Sequence, residues 1–579
     1  MKPKDAQLKL STRRLNVAWL QGARGDCSPS SWPLWTLVLG YAVLAAWCWR
    51  EWGETGWPIG SFWWDELALA GAAEAVRAGL VPTVDFWAPF VLPIYLKHWA
   101  IAWTGHGAAF VLENIIQGGV VLALFCWLAG RERQPASVYV VGALAVLGAC
   151  FPFNFGSVTE AELGTVVAAC AYNRLGGSLL ALVLLLPAVV SVDDVGRETR
   201  LVAWLATVLV VAALLKVTVL QIAWACVFVQ VILSPGHGWG RLLIRSSVLA
   251  LLALAAMAWF AGGWSGYGEA LSYLSKLRLS IFVQDWHRYF GFLLFTQQAQ
   301  LAVLLLVALL IALSGWLTGR RWLRPVLAYL LGCAAVCVYT ITNFGDHGVM
   351  PAASALCTLL IVWARGYGQL LSLGPPHRVE VTIWRLSNAL LLTLVLFYVV
   401  VLTYWAHALQ EHRNRYGLMN MPLTSSLLAR SYLIDADAWA LRPDMVQADL
   451  PINLGNPSVF ASYLVGVDEA AAYLKSNVPD RSQSVYALDF PAYVFSMAAG
   501  YRVPKHSFPW LHVGHEVTLD LHPDRTAVLA DVDMLLISKC SVSPSNRTYL
   551  TRIFRREIEA DWRLKDRLTC WDVYMRRAH

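Results

Sequence analysis

The stretch LVAWLATVLVVAALLKVTVLQIAWACVFVQVIL, residues 201–233, is broken by a single charge, Lys216. About 20 apolar residues cross the hydrocarbon core of a bilayer, so this run predicts two spans that meet at the lysine. A hydropathy window moved outward in both directions finds about eleven spans in all. They fall at 32–50, 107–129, 136–152, 163–188, 200–215, 217–233, 243–263, 291–315, 324–341, 348–366 and 386–406. The expected fold class is an α-helical polytopic membrane protein with about eleven transmembrane helices.

Composition points the same way. Of 579 residues, 58% are hydrophobic and 14% charged, with a mean hydropathy of +0.52. Soluble domains average about 45–50% apolar and about 25% charged residues. So few charges cannot cover a water-facing surface, and the lipid bilayer is the expected main solvent. The net charge of +7 does not indicate nucleic acid, because the arginines sit in short loops between apolar runs. The 11 cysteines form no CxxC pair, and most lie inside apolar runs, where they read as small core residues. Cys540 and Cys570 fall in the tail and can pair there if it faces an oxidising compartment.

The charges also set topology. A basic, polar N-terminal segment, residues 1–31, precedes the first span and reads as cytoplasmic, with that span an uncleaved signal anchor. Arg131 and Arg133, Arg197 and Arg200, Arg241 and Arg245, and Arg320, Arg321 and Arg324 then fall in inner loops. The helical domain covers 32–406. An odd number of spans places 407–579 outside, in the periplasm of a bacterial inner-membrane protein. That tail alternates between helical spacing (Asp468–Asn477, Thr548–Ala560) and strand patterns (Ser484–Asp489, Asp533–Ser538, a pair over Trp562–Met575), which predicts a small α/β domain. The first outer loop holds two segments too short or too polar to span, Glu66–Leu80 and Phe90–Trp103, which suit helices lying in the interface.

Within that loop, Trp63-Trp64-Asp65-Glu66-Leu67 is followed by Gly79-Leu80-Val81-Pro82, Asp85 and Pro89. Out of context the acidic pair reads as a helix start, with Asp65 as the cap and Glu66 near the positive end of the helix. Together, the motifs and their order resemble the GT-C superfamily of integral-membrane glycosyltransferases. The nearest branch holds the protein O-mannosyltransferases and the lipid A aminoarabinose transferase. The chain departs from that transferase at Ala88, where it carries a lysine, and at Leu67-Ala68-Leu69, where it carries an arginine. Many relatives place an arginine where Leu112-Glu113-Asn114 stands.

The resemblance implies an inverting transfer of a sugar from a polyprenyl-phosphate carrier to a hydroxyl of a glycan, lipid or protein on the outer face. Asp65 is the expected base for the acceptor hydroxyl, with Glu66 beside it as a second catalytic carboxylate. Lys216, a lone lysine in an apolar stretch, is a functional candidate by default. It is expected to meet the carrier phosphate, with Lys276, Arg278 and Arg288 from the second long outer loop. Asp85, Glu160 and Glu162 are candidate substrate-binding residues. The Tyr172-Asn173-Arg174 run reads as structural. The resemblance implies that no nucleotide is needed; the cysteines show no metal-ligating spacing, and a divalent metal is compatible with Glu160 or Glu162. Two other classes remain: a non-catalytic component of polysaccharide assembly or export on the same scaffold, and a transporter of lipid-linked sugars.

Overall fold

The computed structural model describes residues 32–52, 57–58, 63–130 except 89, 134, 136–150, 171–189, 195–233, 238–260, 432–433 and 457–577 except 514–516 and 542–543, with scattered residues at 268–277 and 385–403. Helix α1 (Trp32–Trp52) precedes a two-residue strand, β1 (Trp57–Pro58), and α2 (Trp63–Arg77). Then come α3 (Val91–Ala129), α4 (Ala136–Cys150), α5 (Ala171–Val189), α6 (Val195–Leu215), α7 (Val217–Leu233) and α8 (Trp239–Phe260). Helix α3 is central, packing against α1, α2, α4, α5 and α6.

The expected eleven transmembrane helices are not what the structure contains. Among the described residues two helical segments are long and apolar enough to cross a bilayer, Ala108–Ala129 and Trp239–Trp259. The apolar parts of the other helices are Ala136–Cys150, Tyr172–Leu186, Thr199–Leu215 and Val217–Val229, each of 10–17 residues. At 1.5 Å per residue, 17 residues reach about 26 Å, short of a core of about 30 Å. The runs expected at 200–215 and 217–233 lie within α6 and α7, but their apolar helical parts are shorter than a full crossing needs. The spans expected at 291–315, 324–341 and 348–366 lie outside the described residues.

Two breaks in the helices have clear causes. Gly105 has φ 74° and ψ 176° inside α3 and divides the tryptophan-rich first half from the apolar second half. Only glycine takes such a conformation at low cost. Between α6 and α7, the Lys216 N–H still donates to the Ala212 carbonyl (2.8 Å), while its own carbonyl accepts from Val219 N–H (3.0 Å). The lysine is a joint between two helices that also pack on each other.

Helix α2 begins at Trp63, so Asp65 sits within its first turn and is not the cap. The end is a Schellman closure: Leu80 N–H donates to Ala75 O (3.0 Å) and Gly79 N–H to Val76 O (2.9 Å), with Gly79 at φ 88°. Pro82 then prevents helix from resuming. This explains the Gly79-Leu80-Val81-Pro82 spacing in local terms.

The tail builds a four-stranded sheet in the order β3-β4-β6-β5. Strands β3 (Val485–Leu488) and β4 (Met534–Ser538) are parallel and fully buried, while β6 (Trp571–Arg576) runs antiparallel to β4 and to the edge strand β5 (Trp562–Arg567). Helices α9 (Pro457–Asn477), α10 (Val494–Ala499), α11 (Arg525–Leu529), α12 (Pro544–Ile553) and α13 (Arg555–Asp561) surround it. Cys540 and Cys570 form a disulfide, with Cα atoms 5.1 Å apart.

The core of this sheet domain is not closed by the tail alone. Leu67, Ala68, Ala72 and Ala75 of α2, with Phe86, Ala88 and Ile94, are buried in the same cluster as Tyr493, Leu535 and Trp571. Gly71 lets the domain approach, since a Cβ there would stand 2.8 Å from the Tyr493 Cβ. A second parallel pairing, β1 with β2 (Tyr432–Leu433), again joins the first loop to the late chain.

Candidate active site

Helix α2 presents its two first-turn carboxylates differently. Asp65 is half-buried; Glu66 is buried, and its Oε1 accepts from Lys97 Nζ at 2.6 Å. Lys97 comes from the first half of α3 and is 1% exposed. The same Nζ lies 2.6 Å from Oε2 of Glu113, a residue beyond the Gly105 break. A buried ion is tolerated only when paired and hydrogen-bonded, and here one ammonium serves two carboxylates. Gln117 Nε2 donates to the other Glu113 oxygen (3.3 Å).

One residue along, Asn114 turns the layer toward α5. Its amide donates to Phe110 O (2.7 Å), and its Oδ1 accepts from Arg174 Nη2 (2.7 Å). Arg174 is 2% exposed. Its neighbour Asn173 accepts from Lys216 Nζ at 3.3 Å. Lys216 is buried at the α6–α7 joint, with its Nζ 5.8 Å from the centre of the Phe90 ring and 5.5 Å from that of Tyr172. Three paired groups, Glu66–Lys97–Glu113, Asn114–Arg174 and Asn173–Lys216, thus follow one another through the chain neighbours Glu113-Asn114 and Asn173-Arg174 as a buried polar layer.

Asp85 has a different task. Its Oδ2 accepts from Val81 N–H (2.9 Å), its Oδ1 pairs with Lys505 Nζ (3.1 Å), and its carbonyl accepts from His506 N–H (2.5 Å). Burial pushes its carboxyl up, but the Val81 N–H, Lys505 and His506 outweigh this and hold it below the usual aspartate value. Asp85 thus ties the first loop to the sheet domain. Lys276 is exposed. Glu160, Glu162, Arg278 and Arg288 lie outside the described residues. Among the described residues no three His, Cys, Asp or Glu side chains converge as a metal site.

The sequence reading missed Lys97 and Glu113 and took Arg174 as structural. The signal for all three was the one used for Lys216: an isolated charge within an apolar run.

Comparisons with protein-family models, with curated proteins and with solved structures found no match to this chain. Its chemistry has to be read from its own geometry.

Proposed function

We propose that this chain is an inverting glycosyltransferase of the bacterial inner membrane, moving a sugar from a polyprenyl-phosphate carrier to an acceptor hydroxyl on the periplasmic face. The observation that carries this reading is the buried layer of paired polar groups with carboxylates at one end and Lys216 at the other. Burying Glu66, Lys97, Glu113, Arg174 and Lys216 costs more than an apolar core would. Such groups concentrate where charge must be handled. The exposed apolar stripe Trp35, Leu39 and Val43 on α1, and Val248, Leu252 and Trp259 on α8, supports a bilayer around the helical part. The Cys540–Cys570 disulfide supports an oxidising compartment for the sheet domain.

In the proposed step the acceptor oxygen forms a bond to the anomeric carbon as the bond to the carrier phosphate breaks. The hydroxyl proton passes to Asp65, the half-buried member of the acidic pair, which an acceptor reaches more readily than the buried Glu66. The electron pair of the broken bond leaves on the phosphate oxygen, where Lys216 stabilises the new charge. Attack opposite the leaving group inverts the anomeric centre.

The test is transfer of sugar from lipid carrier to acceptor in membranes, with mass analysis of the lipid-linked sugars of cells that lack the protein. The expected result is accumulation of one carrier-linked sugar without the protein, and with Asp65→Asn present at normal level. Normal transfer by both Asp65→Asn and Asp65→Ala would remove Asp65 as the base.

A further inference from the structure

The sheet domain reaches the Lys216 end of the layer through one aromatic contact. Trp510 meets Phe90 edge-on, with centroids 6.1 Å apart at 89°. Phe90 stacks on Tyr172 at 5.0 Å and 17°, and these are the two rings that flank Lys216 Nζ. An ammonium is drawn to a ring face only within about 6 Å of its centre, and the attraction falls when the ring turns its edge. The tilt of Phe90 therefore acts on the ammonium together with the Asn173 hydrogen bond and the Tyr172 ring.

The sheet domain fixes that tilt at several points. Trp510 is 5% exposed and so cannot swing away. Three residues before Phe90, Trp87 donates its N–H to Ser507 O (2.9 Å) and stacks on Phe508 with centroids 4.5 Å apart. Phe90 precedes α3 without a side-chain cap of its own. Its placement comes from the sheet domain on one side and Tyr172 on the other.

We infer that Trp510 is a positioning residue for Lys216, so that the C-terminal sheet domain completes the carrier-phosphate site. This rests on the proposed reading of Lys216 as a phosphate ligand. Trp510 acts by holding Phe90 face-on to the ammonium and does not touch the phosphate.

The experiment measures binding of undecaprenyl monophosphate to the full-length protein in nanodiscs of neutral lipid. Trp510→Ala is expected to bind about tenfold more weakly, the size of one lost cation–π contact. Trp510→Phe, which keeps an aromatic edge, should stay within about threefold of wild type on the same scale. Trp510→Leu keeps the space filled if the alanine variant unfolds, and should show the alanine loss. In a Lys216→Gln background the tryptophan substitutions should have no further effect, a coupling that general destabilisation would not produce. Wild-type binding by a folded Trp510→Leu, with binding lost in Lys216→Gln, overturns the inference and leaves the functional reading intact. Wild-type binding by Lys216→Gln overturns the reading itself, and the inference with it.

Discussion

Lys97 Nζ stands 2.6 Å from a carboxylate oxygen of Glu66 and 2.6 Å from one of Glu113, joining α2 to both halves of α3 across the Gly105 break. Removing the ammonium would leave two buried carboxylates without their shared counter-ion. Lys97→Met is expected to lower stability by about 3–5 kcal/mol, the usual cost of stranding a buried charge. Adding Glu113→Gln should restore part of that loss. Thermal unfolding of the single and double variants in nanodiscs checks both statements.

Asp489 gives the sheet domain a pH dependence. Burial pushes its carboxyl up to about 6, against the Ser541 hydroxyl and the Phe490 N–H, which pull it down. A folded value above the unfolded one means that the folded state holds the proton more tightly. The contribution to stability is complete below the unfolded value of about 4 and is lost as pH rises through about 6. Asp489→Asn keeps an oxygen for both donors and carries no charge. It should raise the unfolding temperature at pH 8, by up to about 3 kcal/mol in stability, and the gain should shrink by pH 5. An equal gain at both pH values would remove Asp489 as its source.

The disulfide closes a loop with a sequence separation of 30. Loop-closure entropy for that length is about 3.5 kcal/mol. A Cys540→Ser, Cys570→Ser double variant should unfold correspondingly earlier, and reductant should shift wild type toward it while leaving the variant unchanged. Unfolding scans with and without dithiothreitol make the comparison.

Gly71 tests the contact between α2 and the sheet domain. A Cβ there would lie 2.8 Å from the Tyr493 Cβ, closer than packed carbons come, and within 3.2 Å of the Tyr493 carbonyl oxygen. Overpacking of this kind costs about 1–3 kcal/mol. Gly71→Val should loosen the domain and speed proteolysis at the 77–91 connection, whereas Gly79→Ala should cost only its strained φ of 88°. Limited proteolysis timed against wild type separates the two.

Local patterns carried much of the fold, and long-range convergence carried the rest. The strands at Val485–Leu488 and Met534–Ser538 and the hairpin after Trp562 were readable because each buries or alternates within its own few residues. The Asp468–Asn477 half of α9 was readable for the same reason, whereas the Gly79 closure of α2 was taken only as part of a motif. The Thr548–Ala560 helix proved to be two, parted at Phe554. The span count failed because several apolar runs, such as Thr199–Leu215 and Val217–Val229, form helices whose apolar part is too short to cross a bilayer. Lys97, Glu113 and Arg174 were passed over because their meaning lies in each other, across separations that no spacing rule connects. Asp85 was read as a candidate substrate ligand, and its pairing with Lys505, more than 400 residues away, was not legible from any local spacing.

The shared core of α2 and the sheet domain carries a consequence for biosynthesis. Leu67, Ala68 and Ala72 emerge from the ribosome early, but the residues that cover them, from Tyr463 onward, arrive nearly 400 residues later. At about 5–20 residues per second the wait lasts roughly 20–80 s. During that interval the acid-bearing helix rests on α3 with its other face uncovered, so a chain halted before Tyr493 would leave Leu67, Ala68 and Ala72 exposed. The arrival of Tyr493 and helix α10 thus sets the moment at which the first loop gains its cover.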